Sequence, residues 1–186
     1  MKKSFVLAIF SLFVFAFSAS AQDKAVDYSG TWTLDVSKSK LDERARIESM
    51  TLTVAQTAKD ISVATTAKRN PPPAGTPNGQ GGGRGMGRGG GFGGGDTTSL
   101  YTLDGKETTV EQGSLMGKMP VKLTAKMDGG KLSLSSSRTF STPNGEISTS
   151  NKETWSLSAD GKTLTVDQER TTLRGANSST MVFNKK

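Results

Sequence analysis

The chain contains no cysteine and no histidine among its 186 residues. Without cysteine it has no disulfides, no thiolate zinc sites and no cysteine nucleophiles. Without histidine it lacks the commonest general base, the Ser-His-Asp triad and imidazole metal ligands. We therefore expect no metal site and no cofactor, and a fold held together by secondary structure and apolar packing.

The acidic residues do not suggest a catalytic centre either. Asp104, Asp128 and Asp160 stand at turn positions, where aspartate accepts local hydrogen bonds. Nothing in the sequence pairs the remaining acids, and we expect solvated strand faces for Glu111, Glu153, Asp167 and Glu169. The sequence therefore predicts a protein that is not an enzyme.

The longest apolar run lies at the N terminus. Lys2 and Lys3 precede an apolar segment over 5–17, and Ala19-Ser20-Ala21 follows it. This order is typical of a secretory signal peptide, and the run is shorter than the roughly 20 apolar residues of a membrane-spanning helix. We predict a signal peptide over 1–21 and one mature domain over 22–186. The mature protein is expected in the periplasm or outside the cell and does not span a membrane after cleavage.

The rest of the chain alternates apolar and polar residues with a period of two, which is typical of half-buried strands. Trp32, Leu34 and Val36 open the pattern, and it recurs at 50–54, 61–63, 119–127, 132–134, 155–157, 164–166 and 181–183. A short helical turn is expected around 38–46. Hairpin turns are indicated by Asp104-Gly105, Asp128-Gly129, Asn144-Gly145 and Asp160-Gly161. The pattern predicts an all-β fold, an antiparallel up-and-down barrel of 8–10 strands.

A Pro/Gly-rich tract over 69–96 interrupts the strands. It has too little apolar surface to offset the entropy of ordering, so we predict one long disordered loop between two neighbouring strands. Its centre, with Arg84, Arg88 and Phe92, resembles the Arg-Gly-Gly boxes of RNA-binding proteins. Two arginines in an exported chain favour a plain tether, and nucleic acid is not an expected partner.

A barrel of this size has an interior that is either packed or able to hold one small molecule. We take Val121, Leu123, Leu132 and Leu134 as candidate ligand-binding residues because the alternation places them on the inner face. Arg138 falls on the same side as Leu132 and Leu134. An inward Arg138 would anchor an anionic head group, whereas an Arg138 at the mouth would be an ordinary surface residue.

The opening of the first strand, Ser29-Gly30-Thr31-Trp32, resembles the Gly-x-Trp start of lipocalins. Together with Ser37-Lys38-Ser39-Lys40 and the segments 103–106 and 157–166, it is similar to a group of uncharacterised lipocalin-like secreted bacterial proteins. The resemblance implies that Gly30 and Trp32 form a structural plug at the closed barrel end. It also implies that an arginine late in the chain, Arg170 or Arg174, packs across Trp32.

Two functions remain open from the sequence. The first is non-catalytic binding of a small apolar or amphiphilic molecule inside the barrel. The second is an envelope or matrix interaction protein that contacts polyanions through its basic surface and its Gly/Arg tract, in keeping with a net charge of +7 for the whole sequence, or +5 after Lys2 and Lys3 leave with the predicted signal peptide.

Overall fold

The computed structural model describes residues 26–42, 45–71, 96–114, 117–142, 145–172 and 175–186. These residues form ten strands in one antiparallel sheet. The strands are β1 (Gly30–Leu34), β2 (Ile47–Gln56), β3 (Asp60–Arg69), β4 (Thr97–Thr102), β5 (Thr108–Ser114), β6 (Gly117–Asp128), β7 (Lys131–Thr142), β8 (Gly145–Leu157), β9 (Thr163–Thr172) and β10 (Gly175–Lys185).

The strand order is β4-β3-β2-β1-β10-β9-β8-β7-β6-β5, so the first and last strands pair and the sheet curls into a nearly closed up-and-down barrel. The prediction of an all-β barrel of 8–10 strands is confirmed, with ten. The two edges are β4 and β5, which follow one another in the chain but share no ladder. Across this seam Gln112 Nε2 donates a hydrogen bond of 3.3 Å to Ser99 Oγ.

The seam makes one predicted hairpin wrong. Asp104-Gly105 connects β4 to β5, but Asp104 forms an isolated bridge with Lys126 of β6. The amide of Gly105 donates to the carbonyl oxygen of Ala125, also in β6, at 3.0 Å. Because the turn is held against β6, it does not fold β5 back onto β4.

Asn144 of the predicted Asn144-Gly145 turn lies outside the described residues, and the two remaining turns behave as the sequence predicts. Asp128 pairs with Lys131 across a two-residue loop. Gly129 and Gly130 there have φ values of 53° and 80°, the left-handed conformation that a tight hairpin of this twist requires. Leu157 pairs with Leu164 around the Asp160-Gly161 turn.

The first strand ends earlier than the alternation predicts. Val36 lies in a single 3₁₀ turn, Val36–Lys38, and is 44% exposed. Asp35 causes this break, because its side chain accepts hydrogen bonds from Ser37 Oγ (2.6 Å) and from the Lys38 amide (3.3 Å). Within the helical turn predicted over 38–46, Lys40 forms an isolated antiparallel β-bridge with Thr180 and is not helical. Residues 43–44 of this segment lie outside the described part.

The Pro/Gly tract joins β3 to β4, which are neighbours in the sheet with Thr65 opposite Thr97. Arg69, placed in the loop by the sequence prediction, belongs to β3. The predicted disorder falls mainly on 72–95, which lie outside the described residues, as do Arg84, Arg88 and Phe92. The predicted signal peptide, 1–21, also lies outside them.

One end of the barrel is packed solid by aromatic side chains. Tyr28, Trp32, Phe183 and Trp155 are at most 1% exposed. Trp32 Nε1 donates to the Tyr28 carbonyl oxygen at 2.9 Å. The Tyr28 hydroxyl lies 2.9 Å from the carbonyl oxygens of both Gly130 and Trp155, so the segment before β1 ties this end to the β6–β7 turn and to β8.

A cation does lie over Trp32, but it comes from a different residue than the resemblance implies. Lys185 Nζ, in the last strand, is 5.0 Å from the centre of the Trp32 ring. Gly30 leaves room for it, because a Cβ atom there would lie 2.8 Å from Lys185 Cε. The role implied for Arg170 is therefore wrong, since Arg170 lines the cavity instead, and Arg174 lies outside the described residues.

Candidate functional site

The inward side chains of several strands change from apolar to polar along the barrel axis. In an up-and-down barrel the odd-numbered strands run in the same direction, so their C-terminal halves meet at one end. The inward residues of β9 are Leu164, Val166, Gln168 and Arg170, apolar first and polar afterwards. β7 repeats this order with Leu132, Leu134, Ser136 and Arg138, and β3 runs from Ile61 and Val63 to Arg69.

Of the even-numbered strands, β8 and β10 carry the reverse order, as their opposite direction demands, whereas the inward residues that β2 and β6 bring to the cavity are apolar. Register brings matching residues together: Trp155 faces Val166, Glu153 faces Gln168, and Asn151 faces Arg170. Gln168 in turn faces Ser179, and Arg170 faces Asn177. The barrel interior thus has an apolar floor above the aromatic end, and its polar inward side chains lie in layers toward the other end, where Leu41, Ile47 and Met50 also line the cavity.

A cavity of about 190 Å³ lies between the floor and the polar layers. This exceeds the roughly 10–15 Å³ that one water needs, and it is below the roughly 300 Å³ at which sites for drug-sized ligands begin. Its floor is formed by apolar side chains: Leu52, Val63, Val121, Leu123, Leu134, Trp155, Val166, Met181 and Phe183. Its polar lining includes Arg69, Gln112, Ser136, Arg138, Asn151, Glu153, Gln168, Arg170 and Asn177.

Three arginines therefore line one small cavity. Arg138 is 6% exposed, and its Nη2 donates to Gln112 Oε1, the same side chain that bridges the seam to Ser99. Burial lowers the pKa of Arg138 from its usual value. The charged form of a guanidinium that is buried in this way is stabilised when an anion comes within hydrogen-bond distance.

Arg69 and Arg170 are close enough to repel each other. Burial lowers the pKa of Arg170, the positive charge of Arg69 lowers it further, and the negative charge of Asp42 opposes both effects. Arg69 Nη1 donates to the Ala45 carbonyl oxygen at 2.7 Å. The Nε atoms of Arg69 and Arg170 are enclosed, and neither has a hydrogen-bond partner among the described residues.

Two carboxylates, Asp42 and Glu153, lie within the cavity lining, and Asp42 Oδ2 accepts a hydrogen bond from Asn177 Nδ2. Glu153 Oε1 accepts hydrogen bonds from Asn151 Nδ2 (2.8 Å) and Gln168 Nε2 (3.0 Å). Glu153 Oε2 accepts one from Trp155 Nε1 (2.8 Å). All three donors are neutral. No lysine or arginine of the described chain lies within 4.0 Å of this carboxylate.

Tyr101 completes the wall between the floor and the polar layers. It is 8% exposed and lines the cavity from β4. Burial raises the pKa of its hydroxyl well above the usual value, and the negative charge of Glu153 raises it further. The Tyr101 hydroxyl is therefore a neutral hydrogen-bonding group at any physiological pH.

Four of the five candidate ligand-binding residues predicted from the sequence line the cavity, and the fifth lies beneath its floor. Val121, Leu123, Leu134 and Arg138 line the cavity. Leu132 is fully buried one layer below, opposite Trp155, and does not line it. Arg138 is an inward residue and not a surface residue at the mouth.

Sequence reasoning missed Arg69, Arg170 and Asn151, and it placed Glu153 on a solvated face, which is wrong. The signal that would have found them is the period of two continued beyond the apolar residues. From Leu164 and Val166 it leads to Gln168 and then Arg170, and backward from Trp155 it leads to Glu153 and Asn151. Polar residues at inward positions are the informative departure, since an inner face is otherwise apolar.

The described ranges contain no group of three or more Asp or Glu side chains arranged to hold a metal ion. No helix within them has the length and hydropathy to cross a bilayer. The polyanion hypothesis depends on the Gly/Arg tract, whose residues 72–95 are outside the described part, so it stays a prediction.

No family model and no curated protein matches this chain. Five chains of solved structures match it. One of them is the ileal bile acid-binding protein of zebrafish in complex with cholic acid, with 17% identity and a TM-score of 0.48. That match covers 86% of this chain and 98% of the zebrafish chain. At this identity and overlap, nothing about the ligand of the present chain follows from the likeness.

Proposed function

We propose that this chain is an exported, non-catalytic binding protein for a small amphiphilic molecule with an anionic group. The ligand's apolar part would lie on the cavity floor, and its anionic group would contact the arginine side chains above the floor. The observation that carries this proposal is the division of one cavity into an apolar floor and an end lined by Arg69, Arg138 and Arg170. The lipocalin-like opening around Gly30 and Trp32 supports the same kind of function.

The electrostatics favour an anion over a neutral ligand. Two guanidinium groups that repel each other are stabilised by a carboxylate or a similar anionic group placed between them. Such a group accepts two hydrogen bonds from one arginine in parallel, which no neutral oxygen does as well. The cavity volume of about 190 Å³ favours a compact ligand over a long-chain lipid.

The direct test is native mass spectrometry of the protein purified from its own host. We expect a co-purifying small molecule, released on denaturation, that is anionic at neutral pH. The matched variants are Arg170→Met, which removes an inward charge, and Lys152→Met, which removes an exposed charge from the outer face of β8. Arg170→Met should reduce the amount of co-purified ligand and Lys152→Met should not; equal amounts in both would refute the proposal.

Export is tested separately by fractionating the host and sequencing the N terminus of the protein. The proposal requires a mature chain that begins at Gln22, after the small residues Ala19 and Ala21. A cytoplasmic protein that keeps residues 1–21 would contradict it.

A further inference from the structure

A second polar position lies deeper in the cavity than the arginines. Residues two apart on a strand are separated by about 7 Å, and the Glu153–Gln168 pair lies one such step below the Asn151–Arg170 pair, on the floor side. A molecule that reaches from Arg170 to the floor therefore passes Glu153. The anionic group proposed above gives this carboxylate no counterpart, so its presence needs a separate explanation.

The hydrogen bonds of Glu153 leave part of its capacity unused. A carboxylate accepts about four hydrogen bonds. Glu153 Oε1 accepts two from neutral side chains, whereas Oε2 accepts one, from the Trp155 indole. Its charge faces the cavity with no cation of the described residues within 4.0 Å.

Asn151 supplies a second acceptor beside it. While its Nδ2 donates to Glu153, its Oδ1 is enclosed and has no donor among the described residues. Both side chains line the cavity. The neighbouring side chains of Glu153 and Asn151 thus bring one negative oxygen with spare capacity and one unmatched, enclosed amide oxygen to the same part of the cavity lining.

The number of acceptors indicates which group fits. A hydroxyl carries one proton and would leave one of the two oxygens without a donor; water carries two protons and an ammonium three, and of these only the ammonium has a charge opposite to that of Glu153. A Ca²⁺ ion takes six to eight oxygen ligands, and the described residues bring no group of three or more acids together here. A primary ammonium satisfies both oxygens and also matches the charge of the carboxylate.

We propose that the cavity takes a small amphoteric ligand, an amino acid or amino-bearing acid with an apolar side chain. Its ammonium group binds Glu153 and Asn151, its carboxylate faces Arg170, and its side chain lies on the floor formed in part by Val166 and Trp155. This inference rests on the proposed function and names its ligand class. The modest cavity volume agrees with a ligand of amino-acid size.

The test compares three probes that share one phenyl group: L-phenylalanine, 3-phenylpropionate, which lacks the amine, and 2-phenylethylamine, which lacks the acid. Binding to the purified chain is measured by isothermal titration calorimetry. We expect L-phenylalanine to bind about 10-fold or more tightly than either single-group probe, because each charge-assisted hydrogen bond contributes at least that much.

Two variants with matched charge change separate the groups. Glu153→Gln should weaken L-phenylalanine about 10-fold or more and leave 3-phenylpropionate unchanged or tighter. Glu169→Gln, an exposed acid of β9 that faces outward, should change neither probe. If Glu153→Gln does not fold, as judged by its thermal unfolding transition, Asn151→Leu tests the second acceptor and should weaken L-phenylalanine alone.

The outcomes distinguish this inference from the function on which it rests. If 3-phenylpropionate binds the wild-type chain as tightly as L-phenylalanine, the ammonium position is refuted and the anionic amphiphile stands. The same follows if no probe binds while the host protein carries an acid without an amine. If no probe binds and the host protein carries no ligand, both proposals fail.

Discussion

Replacing Arg170 by methionine should stabilise the empty protein and weaken its ligand binding, two effects of opposite sign from one change. The Arg170 Nε atom is enclosed without a partner, and an unmatched buried donor costs about 1–3 kcal/mol. Repulsion from Arg69 adds to this cost, and attraction by Asp42 offsets part of it. The methionine side chain is also long and unbranched, but it carries no charge and no hydrogen-bond donor. We expect the free energy of unfolding to rise by about 1 kcal/mol, or roughly 2–4 °C in Tm for a domain of this size.

The assay is urea unfolding of ligand-free protein at neutral pH, with wild type and Lys152→Met in parallel. Arg170→Met should move the midpoint upward at an unchanged slope, which marks a change in stability and not in compactness. Lys152→Met alters an exposed position and should stay within about 0.5 kcal/mol of wild type.

Binding should move the other way. Loss of a hydrogen bond from a charged donor to an anionic ligand corresponds to about a 10- to 150-fold drop in affinity. The reasoning is refuted if Arg170→Met lowers the free energy of unfolding by 1 kcal/mol or more at unchanged slope. Arg170 would then be part of the folding core and not a residue kept for a ligand.

Three further changes test the packed end and the first strand. Phe183→Ala, at a fully buried position opposite Leu164, should lower the free energy of unfolding by about 3–5 kcal/mol in urea, and Phe183→Leu by less than half of that. Gly30→Ala should lower it by about 1–3 kcal/mol, because φ is 137° there, and a loss below 0.5 kcal/mol would contradict the strain. Asp35→Asn tests a pH dependence: hydrogen bonds from Ser37 and Lys38 hold the pKa of Asp35 well below its usual value. A lowered folded-state pKa gives stability that is complete above about pH 4 and is lost as pH falls through that folded-state value. The stability difference between wild type and Asp35→Asn should therefore be full at pH 7 and shrink below about pH 4, and a difference independent of pH would refute it.

The barrel as a class could be predicted from the sequence, because each strand carries its own evidence. The alternation around Trp32 and Leu164 and the Asp128-Gly129-Gly130 turn are local patterns, and neighbouring residues suffice to indicate them. The same local reasoning failed at Asp104-Gly105. An Asp-Gly pair permits a hairpin, but the contacts with Ala125 and Lys126, some 20 residues away in the chain, decide against one.

The site was predictable in its apolar half and at Arg138. Val121, Leu123 and Leu134 could be assigned to the interior because apolar residues on an inner face follow the expected pattern. Glu153 was missed because a polar residue fits either face of a strand, and only the period of two continued backward from Trp155 indicates its inward position. Its inward position became visible through its pairing with Gln168 and its bond to the Trp155 indole.

The sequence by itself determined that the chain is all-β and antiparallel, and that its chemistry excludes cysteine and histidine. Those properties depend on residue types and on spacings of a few residues. Only the tertiary structure decided that the barrel has its seam between β4 and β5, and that Lys185 lies over Trp32 in the place implied for Arg170. It alone placed Arg69, Arg138 and Arg170 around one cavity with Glu153 below them. The three arginines are far apart in the chain, and they meet because strand direction and register bring the C-terminal halves of three separate strands to the same end of the barrel.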